Sequence, residues 1–422
     1  MNAPAASGGA VPAAKPDAAP VGGAGSPALM NTYARSELAF ERGEGAWLIA
    51  VDGRRFLDFA SGIAVTALGH CHPHLVKALE EQAHKIWHTS NLYRIPGQER
   101  LAERLAAASF AGRTGGQVFF GNSGVEAIEC GLKLVRKYHD DFGDAGRYRV
   151  IACDGSFHGR TLAGLAAAGN AKYLKGYAPY VEGFDHVPFE NLNELRAKIG
   201  PETAAILVEP VQGEGGMRAA SIEYLKGLRA VCDEFGLLLF FDEVQSGMGR
   251  TGKLFAHEWS GVTPDIVATA KGIGGGFPLG ACLATGKVAA AFGHGSHGTT
   301  FGGNPLAMAV GNAVLDVILE PGFLPGVVKK GERLAKGVAA LVEKHPGVFA
   351  DFRGKGLMLG LKCVGPNTEM VERLRRCGLL TVGAGDNVVR LLPPLIISDS
   401  EIDQALEMLE KAATEAENAK HP

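Results

Sequence analysis

The chain has 422 residues, of which 46% are hydrophobic and 21% are charged. This is the composition of an ordinary globular protein, and the length suffices for two domains. The net charge of −3 gives no basic field for nucleic acid, and no stretch has the apolar length of a transmembrane helix. The seven cysteines form no CxxC pair and are odd in number, so we expect no disulfide framework and a cytoplasmic location.

The N-terminal residues 1–28 consist mainly of Ala, Pro and Gly. Such a segment cannot offset the entropy of ordering, so we expect a disordered tail that ends at about residue 29. Further along, residues 47–51 and 56–59 are apolar and flank Asp52-Gly53. This pattern predicts a β-hairpin.

The string GHCHPH at residues 69–74 groups three histidines and one cysteine. Zinc ligands converge on one point, whereas here Pro73 opens a helix and the side chains should point in different directions. We therefore predict no metal at this string. Leu75, Leu79, Ile86 and Trp87 then recur at helical spacing and predict an amphipathic helix.

A short apolar run at 118–120 is followed by Gly-Asn-Ser-Gly and a helical pattern. The free N–H groups and the dipole at such a helix N-terminus favour a bound phosphate. A plainly capped helix, with Asn122 or Ser123 as the N-cap, explains the same string without a ligand. Both interpretations stay open at this point.

Four further apolar runs of strand length lead to polar candidates: 149–152 before Phe157 and Arg160, 204–208 before Glu209, 237–241 before Asp242, and 266–270 before Lys271. Continuous apolar runs are typical of parallel strands buried on both faces, and ligands bind outside the carboxyl ends of such strands. We therefore expect Asp242 and Lys271 to meet at one rim of the sheet.

A carboxylate and a lysine placed in this way suit pyridoxal phosphate. The lysine forms a Schiff base with the aldehyde, and the aspartate holds a proton on the pyridine nitrogen. Phe157 and Arg160 at the same rim could stack on a ring and bind a carboxylate. Core packing and a surface charge explain these two residues equally well.

The main alternative from another class is a nucleotide hydrolase. Residues 247–254 (GMGRTGKL) match the GxxxxGK of a phosphate-binding loop, but Leu254 stands where Ser or Thr would hold Mg²⁺. A second glycine loop at 296–305 offers the hydroxyls of Thr299 and Thr300 to a phosphate or a substrate, and a simple turn is the alternative. The C-terminal part reads as α+β, with Arg390 in an otherwise apolar strand, where it needs a partner or a solvent gap.

Together these motifs resemble the class III pyridoxal-phosphate aminotransferases, and among them the bacterial acetylornithine aminotransferases. The similarity runs from about residue 30 to the end and includes NSGVEA, FHGRTL, VEPVQGEGG, FDEVQSGMGRTG and HGTTFGGNPLA. It implies a fold-type I α/β architecture with a mostly parallel seven-stranded sheet flanked by helices. The implied limits are 29–74 for an N-terminal segment that packs with the small domain, 75–305 for the large cofactor-binding domain and 306–422 for a small α+β domain.

The resemblance also implies the roles of individual residues. Lys271 would be the Schiff-base lysine, and Asp242 the partner of the pyridine nitrogen. The other implied cofactor contacts are Ser123, Gly124, Val125, Phe157, Glu243, Val244, Gln245 and, from the neighbouring subunit of a homodimer, Thr300. Val125 stands where many family members have Thr, so a hydroxyl contact to the phosphate is missing.

For the substrates, the resemblance implies that Arg160 binds the α-carboxylate, with Thr299 nearby. Glu209 and Arg390 resemble a switch pair, in which Arg390 is released to bind the second carboxylate of a keto acid. The implied reaction moves the ω-amino group of N2-acetylornithine to 2-oxoglutarate, a step of arginine biosynthesis. Succinylornithine, ornithine and 4-aminobutyrate are alternative donors, and Ile63, where ornithine aminotransferases carry Tyr, favours the acetylated donor. Neither nucleic acid nor a membrane is an expected partner.

Overall fold

The computed structural model describes residue 26, residues 28–110 and residues 115–419. Apart from residues 26 and 28, the predicted disordered tail of residues 1–28 lies outside this range. No single helix of the described residues is long and apolar enough to span a membrane. Helices Pro305–Ile318 and Phe323–Lys344 meet the length and composition test only as a pair, across a bend of 71°.

The strands, in chain order, are β1 Phe40–Glu44, β2 Trp47–Ala50, β3 Arg55–Asp58, β4 Gln117–Gly121, β5 Arg149–Cys153, β6 Phe184–Val187, β7 Thr203–Val208, β8 Val211–Gln212, β9 Arg218–Ala219, β10 Leu238–Asp242, β11 Ile266–Thr269, β12 Gly280–Ala284, β13 Phe349–Lys355, β14 Met358–Cys363, β15 Leu379–Leu380, β16 Val382–Ala384 and β17 Val388–Leu391. The helices are α1 Ser61–Ala64, α2 Pro73–Ala83, α3 Pro96–Ser109, α4 Gly124–Phe142, α5 Leu162–Ala168, α6 Ala171–Leu174, α7 Leu192–Lys198, α8 Ile222–Phe235, α9 Gly286–Ala289, α10 Pro305–Ile318, α11 Phe323–Lys344, α12 Asn367–Arg376 and α13 Asp399–Asn418. Short 3-10 helices occupy Ala256–Ser260 and Lys271–Gly274.

Within the described residues, a seven-stranded sheet has the order β4-β12-β11-β10-β7-β5-β6. Strand β10 is parallel to β7 and β11, and β5 is parallel to β6 and β7. Strand β12 runs antiparallel to both of its neighbours. The predicted fold class, an α/β protein of fold type I with a mostly parallel seven-stranded sheet, is confirmed.

The central strand β10 is buried on both faces. Phe240 belongs to an apolar cluster with Ile128 of α4, whereas Phe241 belongs to a separate cluster with Leu228 of α8. Successive strand residues point to opposite faces, so one apolar run packs against helices on both sides of the sheet. This arrangement explains why the sequence at 237–241 shows no alternation.

Two four-stranded sheets lie outside the central one, in the orders β1-β2-β3-β15 and β13-β14-β17-β16. The antiparallel pairing of β2 with β3 confirms the hairpin predicted at Asp52-Gly53. Strand β15, which is distant in sequence, pairs in parallel with β3 through Leu379 and Leu57. The N-terminal and C-terminal parts of the chain thus share a sheet, while the domain limits given above stay a prediction.

The predicted helix through Ile86 and Trp87 was wrong at its C-terminal end. Helix α2 ends at Ala83, and the side chains of Ile86 and Trp87 are 48% and 64% exposed. The two apolar residues that follow the helix continue its spacing by coincidence. Periodicity alone does not show where a helix ends.

The histidines of GHCHPH make separate contacts. His70 Nε2 lies 2.8 Å from Asp58 Oδ2, whereas His74 Nε2 lies 3.3 Å from Asp316 Oδ2. His72 is the N-cap of α2, where its Nδ1 accepts the N–H of His74 at 3.3 Å. Each ring therefore has a structural contact of its own.

The stretch that resembles a nucleotide-binding loop does not lead into a long helix. The 3-10 helix Ala256–Ser260 follows it instead. Arg250 within this stretch is buried and donates to the carbonyl oxygens of Leu357 and Pro393. The stretch thus connects distant parts of the chain and lacks the helix N-terminus that holds phosphate in nucleotide hydrolases.

Candidate active site

A cavity of about 500 Å³ opens at the carboxyl ends of β5, β7, β10 and β11. Its lining includes most of the residues predicted from the sequence: Ser123, Gly124, Val125, Phe157, Arg160, Glu209, Asp242, Val244, Gln245 and Lys271. The expected meeting of Asp242 and Lys271 at one rim is confirmed. Parallel strands deliver their last residues to the same edge, which explains how residues distant in sequence come together.

Lys271 follows β11 and adopts a left-handed backbone conformation, with φ of +50°. For a residue other than glycine this conformation costs roughly 1–3 kcal/mol, so the surrounding structure must hold it in place. Burial lowers the pKa of its ammonium from 10.5 to about 8; the charge of Arg390 lowers it as well, whereas Glu214 and Asp242 oppose the shift. Such a lysine releases its proton readily, as a nucleophile or a general base must.

Asp242 ends β10 and is 4% exposed. Its Oδ1 accepts the backbone N–H of Val244 at 2.9 Å, and its Oδ2 lies 2.8 Å from Nδ1 of His158. Both carboxylate oxygens are thereby fixed in direction. A buried carboxylate oriented in this way is suited to hold a proton on a ring nitrogen.

The N-terminus of α4 forms another part of the cavity wall. Ser123 is the N-cap, and its Oγ accepts the N–H of Glu126 at 3.4 Å. Gly124 is required because an added Cβ would lie 2.7 Å from Cγ1 of Val244. The capped-helix and anion-site interpretations are therefore compatible, since the capped first turn also lines the cavity and its N–H groups lack intrahelical acceptors.

Arg160 lies at the rim against two aromatic rings. Its guanidinium carbon is 3.8 Å from the ring centroid of Tyr173 and 5.5 Å from that of Phe157. Arg160 forms no ion pair within the described part of the chain. Its planar set of donors is thus available for a carboxylate ligand.

The predicted pair of Glu209 and Arg390 does not form. Arg390, which is 2% exposed in β17, is paired with Glu214 through Nη1 and Oε1, and its Nη2 lies 3.3 Å from Oε2. Glu209 instead accepts the backbone N–H groups of Phe157 and Gly213. Both glutamates belong to VEPVQGEGG, and the turn between β8 and β9 carries the second one, and not the first, to Arg390.

The family profile "Aminotransferase class-III" matches residues 30–413. The chain is 60% identical over 386 residues to the acetylornithine aminotransferase of Mesorhizobium japonicum, an alignment that covers 92% of this chain and 96% of that protein. It is 58% identical to the acetylornithine aminotransferase of Brucella melitensis, with 91% and 94% covered.

The chain belongs to the class-III aminotransferases.

Solved structures agree with this assignment. The N-acetylornithine aminotransferase from Stenotrophomonas maltophilia K279a has a TM-score of 0.79 at 39% identity, covering 92% of this chain and 98% of that one. The ornithine aminotransferase from Toxoplasma gondii ME49 has a TM-score of 0.88 at 28% identity, covering 93% and 94%.

Class-III aminotransferases use pyridoxal phosphate, and a structure of the Toxoplasma ornithine aminotransferase is described with this group at the active site. The cavity of the present aminotransferase fits the group chemically, with Lys271 for the aldehyde, Asp242 for the ring nitrogen and the first turn of α4 for the phosphate. In addition, His158 Nε2 and Gln245 Oε1 are buried in the cavity wall without a hydrogen-bond partner among the described residues. Buried polar atoms are rarely left unpaired, so a polar ligand is expected there.

Glu243, predicted to contact the cofactor, does not line this cavity. Its fully buried carboxylate accepts the N–H groups of Ala256 at 3.0 Å and His257 at 2.8 Å. Because successive residues at a strand end point to opposite faces, Glu243 is directed away from the side on which Asp242 lies. The side chain of Glu243 therefore holds the segment after the central strand, and the prediction that Glu243 contacts the cofactor has no support from the cavity lining.

Thr299 and Thr300 do not line the cavity of their own chain. The hydroxyl of Thr299 accepts the N–H of Gly302 at 3.1 Å, and Thr300 is exposed. For Thr300 this placement agrees with the expected action on a neighbouring subunit, which stays a prediction. Arg160 lines the cavity and Thr299 does not, so the expected place of Thr299 near the α-carboxylate stays a prediction.

Sequence reasoning missed three residues of the site. His158 stands in FHGR between Phe157 and Arg160, and a polar side chain at that strand end was a signal that it could contact Asp242. Glu214 was visible as the second glutamate of VEPVQGEGG. Tyr173 gave no signal, because its contact with Arg160 depends on how α6 folds back over the loop.

Proposed function

We propose that this chain is an acetylornithine aminotransferase. It transfers the ω-amino group of N2-acetylornithine to 2-oxoglutarate and produces N-acetylglutamate 5-semialdehyde and glutamate, as part of arginine biosynthesis. The observation that carries the proposal is one cavity lined by Lys271, Asp242, the unpaired Arg160 and Glu214, the residue that pairs with Arg390. The 60% identity to a relative of that name supports the choice of donor.

Pyridoxal phosphate, when bound, withdraws electrons from the substrate carbon that carries the amino group and so makes its C–H proton acidic. Lys271 is the residue that would hold the aldehyde of this group. With the group bound and the substrate amine in place, the free amine of Lys271 would accept the acidic C–H proton on Nζ and later donate it again. A pKa of about 8 suits both directions of this transfer near neutral pH.

Asp242 supports this chemistry from the opposite end of the site. Its carboxylate would stabilise a proton on the ring nitrogen of the bound group, the feature that lets the ring accept electrons. His158 orients the carboxylate through the contact of 2.8 Å between Nδ1 and Oδ2. Phe157, at the cavity wall, offers an apolar face for the ring.

The two substrates differ in their charges near the reacting carbon. The ω-carbon of the donor carries no carboxylate, whereas the reacting carbon of 2-oxoglutarate carries one beside it. Glu214, the partner of Arg390, lines the cavity together with Lys271, and this contact assigns Arg390 to the reacting end. Glu214 neutralises Arg390 while the donor reacts and must release it when the keto acid binds, whereas Arg160 receives the remaining carboxylate of either substrate.

The donor is tested with a panel of amines and 2-oxoglutarate as the acceptor. We expect acetylornithine to give the highest kcat/KM, ahead of succinylornithine, ornithine and 4-aminobutyrate, because apolar Val65 lines the cavity and the similar relatives carry that name. A higher kcat/KM for free ornithine or 4-aminobutyrate would contradict the proposed function.

We also propose that the chain acts as a homodimer. Four large apolar side chains, those of Trp87, Leu92, Tyr93 and Phe301, are between 62% and 88% exposed. The two loops that carry them are joined, since Asn91 Nδ2 donates to the carbonyl oxygen of Gly302 at 2.9 Å. An exposed apolar patch on one face is typical of a subunit interface, and Thr300 lies within the second loop.

A cytoplasmic location completes the proposal. It is supported by the cysteines, since Cys71, Cys130, Cys153, Cys232, Cys282, Cys363 and Cys377 are all free. Proteins of reducing compartments keep their thiols in this state.

A further inference from the structure

Glu209 bridges two loops of the active site. It follows β7, is 7% exposed, and accepts the N–H of Phe157 on Oε1 at 2.7 Å and the N–H of Gly213 on Oε2 at 3.2 Å. The first N–H belongs to the loop after β5 that presents Phe157 and Arg160. The second belongs to the turn between β8 and β9 that presents Glu214.

The surroundings of Glu209 are unsuited to a switchable charge. Donor and acceptor atoms of Glu209, Asp242 and His158 all lie within 4.8 Å of one another. Burial and the repulsion from Asp242 raise the pKa of Glu209 well above its usual value, and the two backbone N–H groups and Lys271 oppose this shift. Asp242 has the imidazole of His158 as a partner, whereas Glu209 has only backbone N–H groups.

We propose that Glu209 is a positioning residue whose carboxyl group ties the ring-stacking loop of Phe157 to the turn of Glu214. It fixes where the cofactor ring and the Glu214–Arg390 pair stand relative to each other. Because both half-reactions use the same ring position, Glu209 serves both equally. Glu214 acts differently, since its release of Arg390 is needed when the keto acid binds.

Hydrogen exchange on the holoenzyme tests the bridge directly, independently of turnover. Mass spectrometry follows the amides of Phe157 and Gly213 in the wild type and in Glu209→Ala. We expect both amides to exchange at least about tenfold faster in the variant, because each loses its buried acceptor. Unchanged exchange at both amides would overturn the inference.

Glu209→Gln provides the conservative variant and covers the case in which Glu209→Ala does not fold. Its single carbonyl oxygen can still accept the N–H of Phe157, but its amide group cannot accept that of Gly213. We therefore expect faster exchange at Gly213 and wild-type exchange at Phe157. Faster exchange at Phe157 alone, or at neither amide, would contradict the assignment.

The matched control is Glu190→Ala. Glu190 also accepts a backbone N–H, that of Ser221, but lies outside the active-site cavity. We expect its removal to leave the exchange of Phe157 and Gly213 at the wild-type rates. Accelerated exchange at these two amides in the control would show that general destabilisation explains the result and would refute the bridge.

A kinetic experiment, which rests on the proposed function, distinguishes the role of Glu209 from that of Glu214. In single-turnover experiments, Glu209→Gln should slow the donor and acceptor half-reactions by similar factors, whereas Glu214→Gln should change their ratio about tenfold or more. A preferential loss in one half-reaction for Glu209→Gln would contradict a positioning role. If the wild type itself fails to transaminate acetylornithine, the proposed function fails, and the exchange measurements still decide the inference.

Discussion

Lys271 has both an unusual backbone conformation and an unusual pKa. Its backbone is held at φ of +50°, and burial lowers the pKa of its ammonium from 10.5 to about 8. Without a covalent partner, this lysine is a buried cation at neutral pH and therefore destabilises the folded state. Functional sites often retain residues that destabilise the folded state in this way.

The first prediction concerns the cofactor-free protein. Lys271→Met should raise its free energy of unfolding at pH 7 by about 2 kcal/mol; the pKa shift alone corresponds to roughly 3 kcal/mol, and solvent in the cavity screens part of it. The penalty is complete below pH 8, where both folded and unfolded chains hold the proton. It declines between pH 8 and 10.5, where the unfolded chain binds the proton more tightly, and is absent above this range. Urea unfolding at several pH values measures it, and a variant less stable than the wild type at pH 7 would contradict the assignment.

Tyr173 lies outside the cavity lining but contacts Arg160. Cation–π contacts contribute about 0.5–2 kcal/mol, so Tyr173→Leu should raise KM for both donor and keto acid by about three- to tenfold, with little change in kcat. Tyr173→Phe keeps the ring and should behave as the wild type. Tyr177→Leu, at an exposed tyrosine nearby, is the matched control. Steady-state kinetics measures these KM values. An equally large rise in KM for Tyr173→Phe would show that the face of the ring is not what holds Arg160.

At the scale of elements, the first turn of α4 is the part whose chemistry departs from the family pattern. Val125 lines the cavity but has no hydroxyl, so its expected phosphate contact is the backbone N–H alone. The neighbouring Gly124 leaves room only for a hydrogen, because an added Cβ would meet Val244 at 2.7 Å. Phosphate binding by this turn can therefore be strengthened at Val125, whereas Gly124 tolerates no larger side chain.

This contrast gives the third prediction. Val125→Thr adds a hydroxyl, and a net hydrogen bond of about 1 kcal/mol should tighten pyridoxal phosphate binding about fivefold. Gly124→Ala should weaken binding by a larger factor through the clash with Val244. Equilibrium titration of the cofactor by absorbance measures both. Tighter binding by Gly124→Ala, or none gained by Val125→Thr, would place the phosphate elsewhere.

Five of the seven strands of the central sheet and the rim they share could be predicted from the sequence, because buried parallel strands read as continuous apolar runs that end on polar residues. Strands β6 and β12 and the order of the strands in the sheet were not predicted. The direction of each polar side chain could not be predicted either. Glu243 follows Asp242 directly yet points to the other side of the sheet, and Glu214, not Glu209, reaches Arg390. The direction of each side chain depends on the pleat of its strand and on the geometry of the turn. The amino-acid sequence alone specifies neither.

At the scale of the whole molecule, the site combines distant parts of the chain. Glu214 belongs to the turn between β8 and β9, whereas Arg390 comes from β17 in a separate C-terminal sheet. The sequence indicated that Arg390 needs a partner, but only the packing of one sheet against the turn identifies it. A charged substrate that forms or breaks an ion pair between two structural units can cause one unit to move slightly relative to the other.

The fourth prediction tests the contribution of a second subunit. Thr300→Ala should weaken cofactor binding several-fold in the homodimer, because one phosphate contact is lost in each site. Hybrid dimers of a Thr300→Ala chain and a Lys271→Ala chain should regain wild-type affinity at one site, since Lys271 of one chain is then completed by Thr300 of the other. Hybrids that keep the weakened affinity would show that Thr300 acts within its own chain.

The most direct test of the account is borohydride reduction of the purified holoenzyme followed by peptide mass mapping. We expect a single reduced pyridoxyl-phosphate adduct, on Lys271, and its loss when acetylornithine is added before the reductant, since the substrate amine then replaces the lysine. An adduct on another lysine, or none on a preparation saturated with the cofactor, would contradict it.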